Sequence, residues 1–310
     1  MDLSEGTDTY QMRTFSVLVM VLLVPFFAKA EDDGRPLWDW GVGLGYVRYA
    51  DYPASDEYSQ IMLPFPTFQY RGEYLRADDR EGGRAYLFKS DSWSLEFSGS
   101  GRFPLDSSKN KARFGMEDLP LVLNGGPQLV YHSGGTWEFQ VAPFFSVAAK
   151  NDYIRANGML LKTQVTYRWE GETPGPFDST ILITGTTSFE MNAASSDYMK
   201  TYYEVGSADV RAGRSEYDAK AGFLSTNLSY YQRFAAGRSS LYVGASISDY
   251  SWSANRNSPL HKSDYNVGWG LGYIYQFGES AKPMVSPEDT QGVINRYRQH
   301  RREQRLIPLE

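Results

Sequence analysis

The segment that most constrains the fold alternates its side chains with a period of two residues. Between Asp264 and Phe277, the odd-numbered positions are apolar or aromatic seven times in succession, and the positions between them are mostly glycine or polar. Side chains of a β-strand point to opposite faces in turn, so this pattern predicts a strand with one apolar face. Trp38–Tyr46 shows the same alternation.

The same pattern recurs between these two segments. Five further stretches alternate clearly: 93–98, 137–147, 159–169, 224–234 and 241–248. Five weaker candidates are Met62–Tyr70, Ala85–Lys89, Pro127–His132, Thr180–Glu190 and Met199–Val205. No strong amphipathic helix is expected within residues 37–277. The total is about twelve strands, each close to the ~9–11 residues that a tilted membrane strand needs. We therefore predict an all-β protein, an antiparallel transmembrane β-barrel.

A soluble β-sandwich or barrel would also alternate, and two features weigh against it. Aromatic residues stand near the ends of the apolar faces, where membrane interfaces collect them. The opposite face is too charged for a packed soluble core. Its charged members are expected to face the lumen of a barrel: Glu96, Glu138, Lys162, Arg168 and Arg233.

The N-terminus has the features of an export signal. Residues 15–27 form an apolar run of 13 residues, too short for a helix that crosses a bilayer, which needs about 20. Small residues at Ala28 and Ala30 predict cleavage after Ala30, so that residues 1–30 are a signal peptide and the barrel occupies residues 31–277. The first residues are acidic where such signals are basic. A start at Met12 would leave Met12-Arg13 as a short basic region.

Composition and motifs exclude several function classes. The chain has no cysteine, and a net charge of −6 argues against a nucleic-acid partner. Its three histidines, His132, His261 and His300, do not form a metal-ligand pair in sequence and are expected on the surface or in loops. No nucleophile elbow or phosphate loop is present, so we predict a protein that is not an enzyme and has no cofactor.

Connection lengths predict the two ends of the barrel. The tracts 70–72 and 235–238 have the features of short periplasmic turns. Four longer tracts are predicted as external loops: 50–59, 170–179, 207–220 and 253–263. The segment Pro104–Asn124 fits this scheme poorly, because its place in the order puts it on the periplasmic side. It is expected to fold into the lumen or beneath it.

Glycines mark the first and last predicted strands. If the barrel closes, Gly41, Gly43 and Gly45 should meet Gly268, Gly270 and Gly272 on the lumen side. Six missing side chains would leave a groove along this seam, with Pro104–Asn124 as a candidate plug. The alternative is that crowded, tilted strands simply need small residues.

Several tracts follow one another along the chain in a distinctive order. They are Trp38–Gly45, Tyr52–Glu57, Pro64–Pro66 with Tyr70–Gly72, Gly115–Leu119, Asp197–Tyr198 leading to Val205–Gly206, and Ser258–Leu260 followed by the final strand. This ordered series resembles the MltA-interacting protein family (MipA/OmpV). The resemblance implies an outer-membrane β-barrel of a Gram-negative bacterium, in contact with outer-membrane lipid. It further implies either a scaffold for murein hydrolases and synthases or a porin-like channel for small solutes.

The chain departs from this family at its end. Barrels of this kind usually finish on a strand that ends in Phe, whereas residues 278–310 follow Phe277 here. Ser286–Asp289 has the features of a helix start, and the end is rich in arginine. We expect a polar, then basic and partly helical periplasmic tail, which is either a solvated extension or a docking element for an acidic partner or the cell wall.

Overall fold

The computed structural model describes residues 36–72, 75–78, 82–90, 92–134, 136–175 and 180–280. The predicted signal peptide, with Ala28 and Ala30, and residues 281–310 of the tail lie outside the described residues. The described residues divide into two compact units. The larger unit comprises residues 40–67 and 86–278, and the smaller one includes the described parts of 36–39, 68–85 and 279–280.

The chain is all-β, and its strands pair antiparallel, which confirms the predicted fold class at this level. The strands are β1 (Trp38–Ala50), β2 (Tyr58–Arg71), β3 (Leu75–Asp78), β4 (Gly82–Lys89), β5 (Trp93–Arg102), β6 (Leu121–Ser133), β7 (Trp137–Lys150), β8 (Tyr153–Pro174), β9 (Thr180–Ala194), β10 (Gly222–Ala236), β11 (Ser239–Asp249) and β12 (Tyr265–Glu279). The last strand continues two residues beyond Phe277, the predicted end.

Each strand pairs with the next one along the chain. From β5 to β12 the pairing is antiparallel throughout, with registers such as Glu138 opposite Thr166 and Gly244 opposite Gly270. The first strand lies between β12 and β2 in the order of neighbours. In the larger unit, Arg48 of β1 donates to the carbonyl of Val267 on one side at 3.3 Å and stacks on Tyr58 of β2 on the other at 3.7 Å.

The smaller unit holds a buried ion pair. Arg71 is the last residue of β2, not part of the turn that the sequence predicts, and its Nη1 lies 2.6 Å from Oδ2 of Asp39. The same guanidinium donates to the carbonyl of Pro36 at 3.0 Å. The start of β1 and the end of β2 are thereby joined.

Within the described residues, a short α-helix, α1 (Ser196–Tyr203), interrupts the strands. The Ser195 hydroxyl accepts a hydrogen bond from the amide of Tyr198 and another, at 2.9 Å, from Met159. The prediction of a strand over Met199–Val205 is therefore wrong. A short helix with one buried face also stands within residues 37–277, where the sequence predicts no strong amphipathic helix. None of the helices in the described ranges is long and apolar enough to cross a membrane.

The long connections of the larger unit gather at one end of its strands. They are residues 51–57, 103–120, 195–221 and 250–264, and their side chains contact one another. Pro104–Asn124 was predicted on the opposite side, but its loop residues lie in this group. The tract 170–179 was predicted as an external loop. Instead, β8 continues through Pro174, which pairs with Thr180 at the end where Gly237 turns the chain.

The two faces of the sheet have opposite character. On β7, the side chains of Trp137, Phe139 and Val141 are nearly half exposed, whereas Glu138 and Gln140 between them are buried. The same inversion continues through β11 and β12, where the odd-numbered apolar residues are exposed. We call these the apolar face and the polar face. A soluble protein has the reverse distribution.

Candidate functional site

All five charged residues that the sequence singles out lie on the polar face. Glu96 is fully buried and Glu138 is 7% exposed. Lys162, Arg168 and Arg233 are partly buried. A buried charge is costly without a partner, so the hydrogen-bond and ion-pair partners of each residue show whether its charge is compensated.

A hydrogen-bonded network links β6, β7 and β8 across the polar face. Arg168 Nη1 donates to Glu138 Oε1 at 3.0 Å. The second oxygen of Glu138 accepts from Gln140 Nε2 at 2.9 Å, and Gln140 in turn accepts from Gln128 at 3.2 Å. Four side chains from three strands therefore fill this part of the polar face.

A second network lies one strand further along. Lys162 Nζ is 3.4 Å from Glu190 Oε2, and Asn192 donates to the other oxygen of Glu190 at 2.7 Å. Thr166 and Ser188 share a hydrogen bond of 3.1 Å nearby. Positive and negative side chains thus neutralise one another on the polar face between β7 and β9.

Ser94, His132 and Glu138 lie next to one another in the order of a serine, histidine and acid catalytic triad. The Ser94 hydroxyl lies 3.0 Å from His132 Nε2, and His132 Nδ1 lies 3.6 Å from Glu138. The second distance is too long for a hydrogen bond. Ser94 is also completely buried, and its hydroxyl is shared with Glu96. A substrate cannot reach this serine, so the group is part of the polar network and His132 is not the surface histidine that the sequence suggests.

The long connections at one end form a packed cap, defined here as residues 51–57, 103–120, 195–221 and 250–264. Its apolar centre contains Tyr52, Met199, Tyr203 and Leu260, none of which is exposed to solvent. The helix α1 supplies Tyr198, Met199, Tyr202 and Tyr203 from one face, at helical spacing. Solvated surface loops do not bury side chains of this size, so the cap is a small hydrophobic core.

Polar contacts join all four parts of the cap. The Tyr52 hydroxyl donates to the Leu260 carbonyl at 2.9 Å, and the Ser258 hydroxyl donates to the Tyr203 carbonyl at 2.7 Å. Asn110 Nδ2 donates to Asp51 at 2.8 Å. Because these bonds connect residues far apart in sequence, sequence reasoning missed them. The one available signal was the density of tyrosines from Tyr198 to Tyr203, most of it in the tract Met199–Val205 that is predicted as a strand.

Asn266 fastens the cap to the start of β12. Its side-chain oxygen accepts from the Ala54 amide at 3.0 Å, and its nitrogen donates to the Ser55 carbonyl at 2.6 Å. Ala54 is fully buried and has a φ of 65°, a left-handed conformation that is costly for a residue with a Cβ. The two hydrogen bonds hold the chain in this turn.

Burial shifts the titration of groups inside the cap. It raises the pKa of the Tyr202 and Tyr203 hydroxyls well above the ordinary value. Burial also lowers the pKa of the Arg113 guanidinium, which donates to the Tyr202 carbonyl at 3.4 Å. The largest cause of each shift is the exclusion of water from the centre of the cap.

Acidic and histidine side chains do not assemble into a metal site in the described part of the chain, where no group of three or more is placed to hold an ion. His261 Nε2 pairs with Asp264 at 2.9 Å within the cap, and the side chain of this histidine is buried. Its hydrogen bond, with that of Arg256, lowers the pKa of Asp264. The loop histidine is thus a structural member of the cap.

The two glycine sets lie on neighbouring strands, but they are staggered. A Cβ built on Gly41 would lie 2.2 Å from the carbonyl oxygen of Tyr275, and one built on Gly270 would lie 3.1 Å from that of Tyr46. A Cβ on Gly43 would lie 2.5 Å from the Phe65 ring. These glycines permit close packing against backbone and rings. The segment 104–120, the candidate plug, packs in the cap instead.

Comparison with known proteins identifies the chain at the level of its family. A family model described as MltA-interacting protein MipA matches residues 42–277. No curated protein sequence matches the chain. Among solved structures, a chain described as "Bacterial polysaccharide outer membrane secretin" is 9% identical, with a TM-score of 0.31; the match covers 77% of this chain and 98% of that chain. Because the family model spans well over half of its length, the chain belongs to the MltA-interacting protein family.

Proposed function

We propose that this protein is an outer-membrane β-barrel of twelve strands. The observation that carries the membrane location is the inverted distribution of side chains, apolar outside and polar inside, which suits a wall between lipid and a lumen. The position of β1 between β12 and β2 supports closure of the sheet. In this barrel the polar face, with Glu96, Glu138, Lys162, Arg168 and Arg233, lines the lumen.

Aromatic pairs on the apolar face support the same location. Trp137 packs on Tyr167 with ring centroids 4.8 Å apart, and Trp40 packs on Phe277 at 5.4 Å. Both pairs stand near the strand ends that carry the short turns. Tryptophan and tyrosine collect at membrane interfaces because one part of the ring system is apolar and the other forms hydrogen bonds.

The cap faces the outside of the cell, and the short turns face the periplasm. The chain has no cysteine, so a cysteine introduced at one position is the only thiol of the protein that a maleimide can label. Its labelling therefore reports on which side of the membrane that position lies. Lys109 in the cap has a side chain that is 79% exposed, and Arg238 is exposed in the turn after β10. A membrane-impermeant maleimide should label Lys109→Cys in intact cells and Arg238→Cys only after the outer membrane is permeabilised. The reverse pattern would overturn the orientation.

The protein acts as a scaffold that holds a murein enzyme at the outer membrane, without catalysis of its own. The family name refers to an interaction with MltA and supports a partner of the murein-enzyme class. The packed cap favours a scaffold function rather than a channel function, because buried side chains fill one end of the strands. The periplasmic end, with its short turns and tail, is the surface available to the partner.

Binding to MltA of the same organism tests this function. The mature chain in lipid nanodiscs should bind the enzyme saturably, and empty nanodiscs should not. A bulky polyethylene-glycol maleimide attached at Arg238→Cys should weaken binding, whereas the same adduct at Lys109→Cys should leave it unchanged. A folded chain that does not bind, or an equal effect of both adducts, would contradict the proposal. Single-channel conductance in a planar bilayer tests the porin-like alternative, because only an open channel gives reproducible current steps.

A further inference from the structure

The polar face is filled unevenly. Between β5 and β9 it is occupied by the hydrogen-bonded networks around Glu138 and Glu190. Beside β10, β11, β12 and β1, a cavity of about 520 Å³ remains. This volume lies within the ~300–1,000 Å³ that small-molecule sites usually have.

Glycines keep the cavity open. Gly268, Gly270 and Gly272 succeed one another on the polar face of β12, and Gly244 lies on the same face of β11. A Cβ on Gly272 would have only an ordinary contact, 3.6 Å, with Cβ of Tyr242. There is thus room at this position for a side chain, and the space is left empty. Close backbone packing alone does not account for this glycine.

Aromatic rings form the other walls. Phe65 of β2 covers Gly43, and Tyr231 of β10 stands over Gly244. Although Tyr231 lies on the polar face, its side chain is 57% exposed, and Val47 beside the cavity is 41% exposed. Large apolar groups exposed to a concave space inside a protein are the usual lining of a ligand site. A flat glycine wall opposite an aromatic ring suits a planar ligand.

The charged side chains around the cavity indicate which class of ligand it can bind. Among the described residues that line the cavity there is no Asp or Glu. The one cationic side chain, Arg48, is already engaged, since its guanidinium stacks on Tyr58 and donates to Val267. Arg233 lies behind this lining, 5.9 Å from the Tyr242 ring, and is engaged as well, since its guanidinium donates to Ser240 at 3.1 Å. A charged ligand would therefore have to compete for its partner of opposite sign, and burying it would be costly.

We propose that this cavity binds a small, uncharged, planar aromatic molecule, stacked on Tyr231 against the glycines of β12. The site is independent of the scaffold function, because it lies within the strands, whereas the murein enzyme would bind at their periplasmic end. The polar hydroxyls of Tyr231 and Ser246 offer hydrogen bonds to a ring NH or OH.

Fluorine NMR of 5-fluoroindole tests the site with a soluble probe of this class. The complete mature chain is titrated in nanodiscs, and empty nanodiscs correct for partition into lipid. We expect a saturable shift or broadening of the fluorine signal with the protein. Signals that match those of empty nanodiscs, or that do not saturate, would overturn the proposal.

Three variants assign the binding to the cavity. Gly272→Leu fills it and should abolish saturable binding. The matched control is Gly171→Leu, since nothing lies within 4 Å of a Cβ at Gly171 and this residue is remote from the cavity. Tyr231→Ala removes the stacking ring and should weaken binding about fivefold. The Tyr231 variant decides the question if Gly272→Leu fails to fold. Unchanged binding in folded Gly272→Leu or Tyr231→Ala, or an equal loss in the control Gly171→Leu, would contradict the site.

Discussion

Arg168 reaches across from β8 to Glu138 on β7, and Nη1 lies 3.0 Å from Oε1. The carboxylate is 9% exposed and the guanidinium 21%, so water screens the pair poorly. Gln140 binds the second oxygen of the same carboxylate. The pair therefore anchors the network on the polar face.

Removal of one partner of this pair should be more harmful than removal of both. Arg168→Met leaves the Glu138 charge without its cation, and we expect a loss of about 3 kcal/mol in the free energy of unfolding. The double variant Arg168→Met with Glu138→Leu should recover part of it. Urea unfolding followed by the mobility shift of folded barrels on gels measures both. Lys109→Ala at an exposed position is the control, and a single variant as mild as this control would contradict the role of the pair.

The Asn266 link predicts a local effect on the cap. Asn266→Ala leaves the Ala54 amide and the Ser55 carbonyl without their partners, which should cost about 1–3 kcal/mol. Because the cap is fastened here, limited proteolysis should cut residues 51–57 faster in the variant. Lys262→Ala, at an exposed neighbouring residue, should leave the rate unchanged. Equal cleavage rates of wild type and Asn266→Ala would contradict the conclusion that Asn266 holds the cap in place.

The glycine seam predicts a difference between two identical substitutions. Gly41→Ala forces a methyl group against the backbone carbonyl of Tyr275, whereas Gly272→Ala meets only an ordinary contact. We expect the first to lower the unfolding free energy by about 1–3 kcal/mol and the second to leave it within about 0.5 kcal/mol. Urea midpoints of the two variants compare them directly. Similar midpoints would show that β1 and β12 do not pack as closely as described.

Alkaline pH should open the cap. Burial raises the pKa of Tyr202 and Tyr203 in the folded state, whereas the unfolded value is about 10. The folded state then holds these protons more tightly, so its stability is complete below pH 10 and falls as the pH rises towards the folded pKa. Ultraviolet titration of tyrosinate should show a late phase that coincides with cap proteolysis. The double variant with Tyr202→Phe and Tyr203→Phe should lack that phase, and its persistence would contradict the assignment.

The strands were predictable because they depend on local pattern. The alternation from Tyr265 to Phe277 fixes which residues share a face, and β12 follows it. The charges Glu96 and Arg168 were placed on the polar face by the same reasoning. Their partners depend on register between strands, which the alternation of one strand does not determine.

The cap was not predictable by this reasoning. Met199 and Tyr203 fall in a tract whose pattern predicts a strand, since a helix of eight residues gives a weak periodic signal. The side chains that bury them, such as Tyr52 and Leu260, come from distant loops. Long-range packing of this kind stabilises a helix that local sequence alone would not.

Single-channel conductance of the mature chain, residues 31–310, tests the central claim most directly. The cap fills one end of the strands with buried side chains, and the barrel is proposed to hold a partner without passing solutes. A correctly folded protein inserted in a planar bilayer at neutral pH should give no reproducible current steps. Steps of constant size that recur with each insertion would contradict the account and favour a porin-like channel.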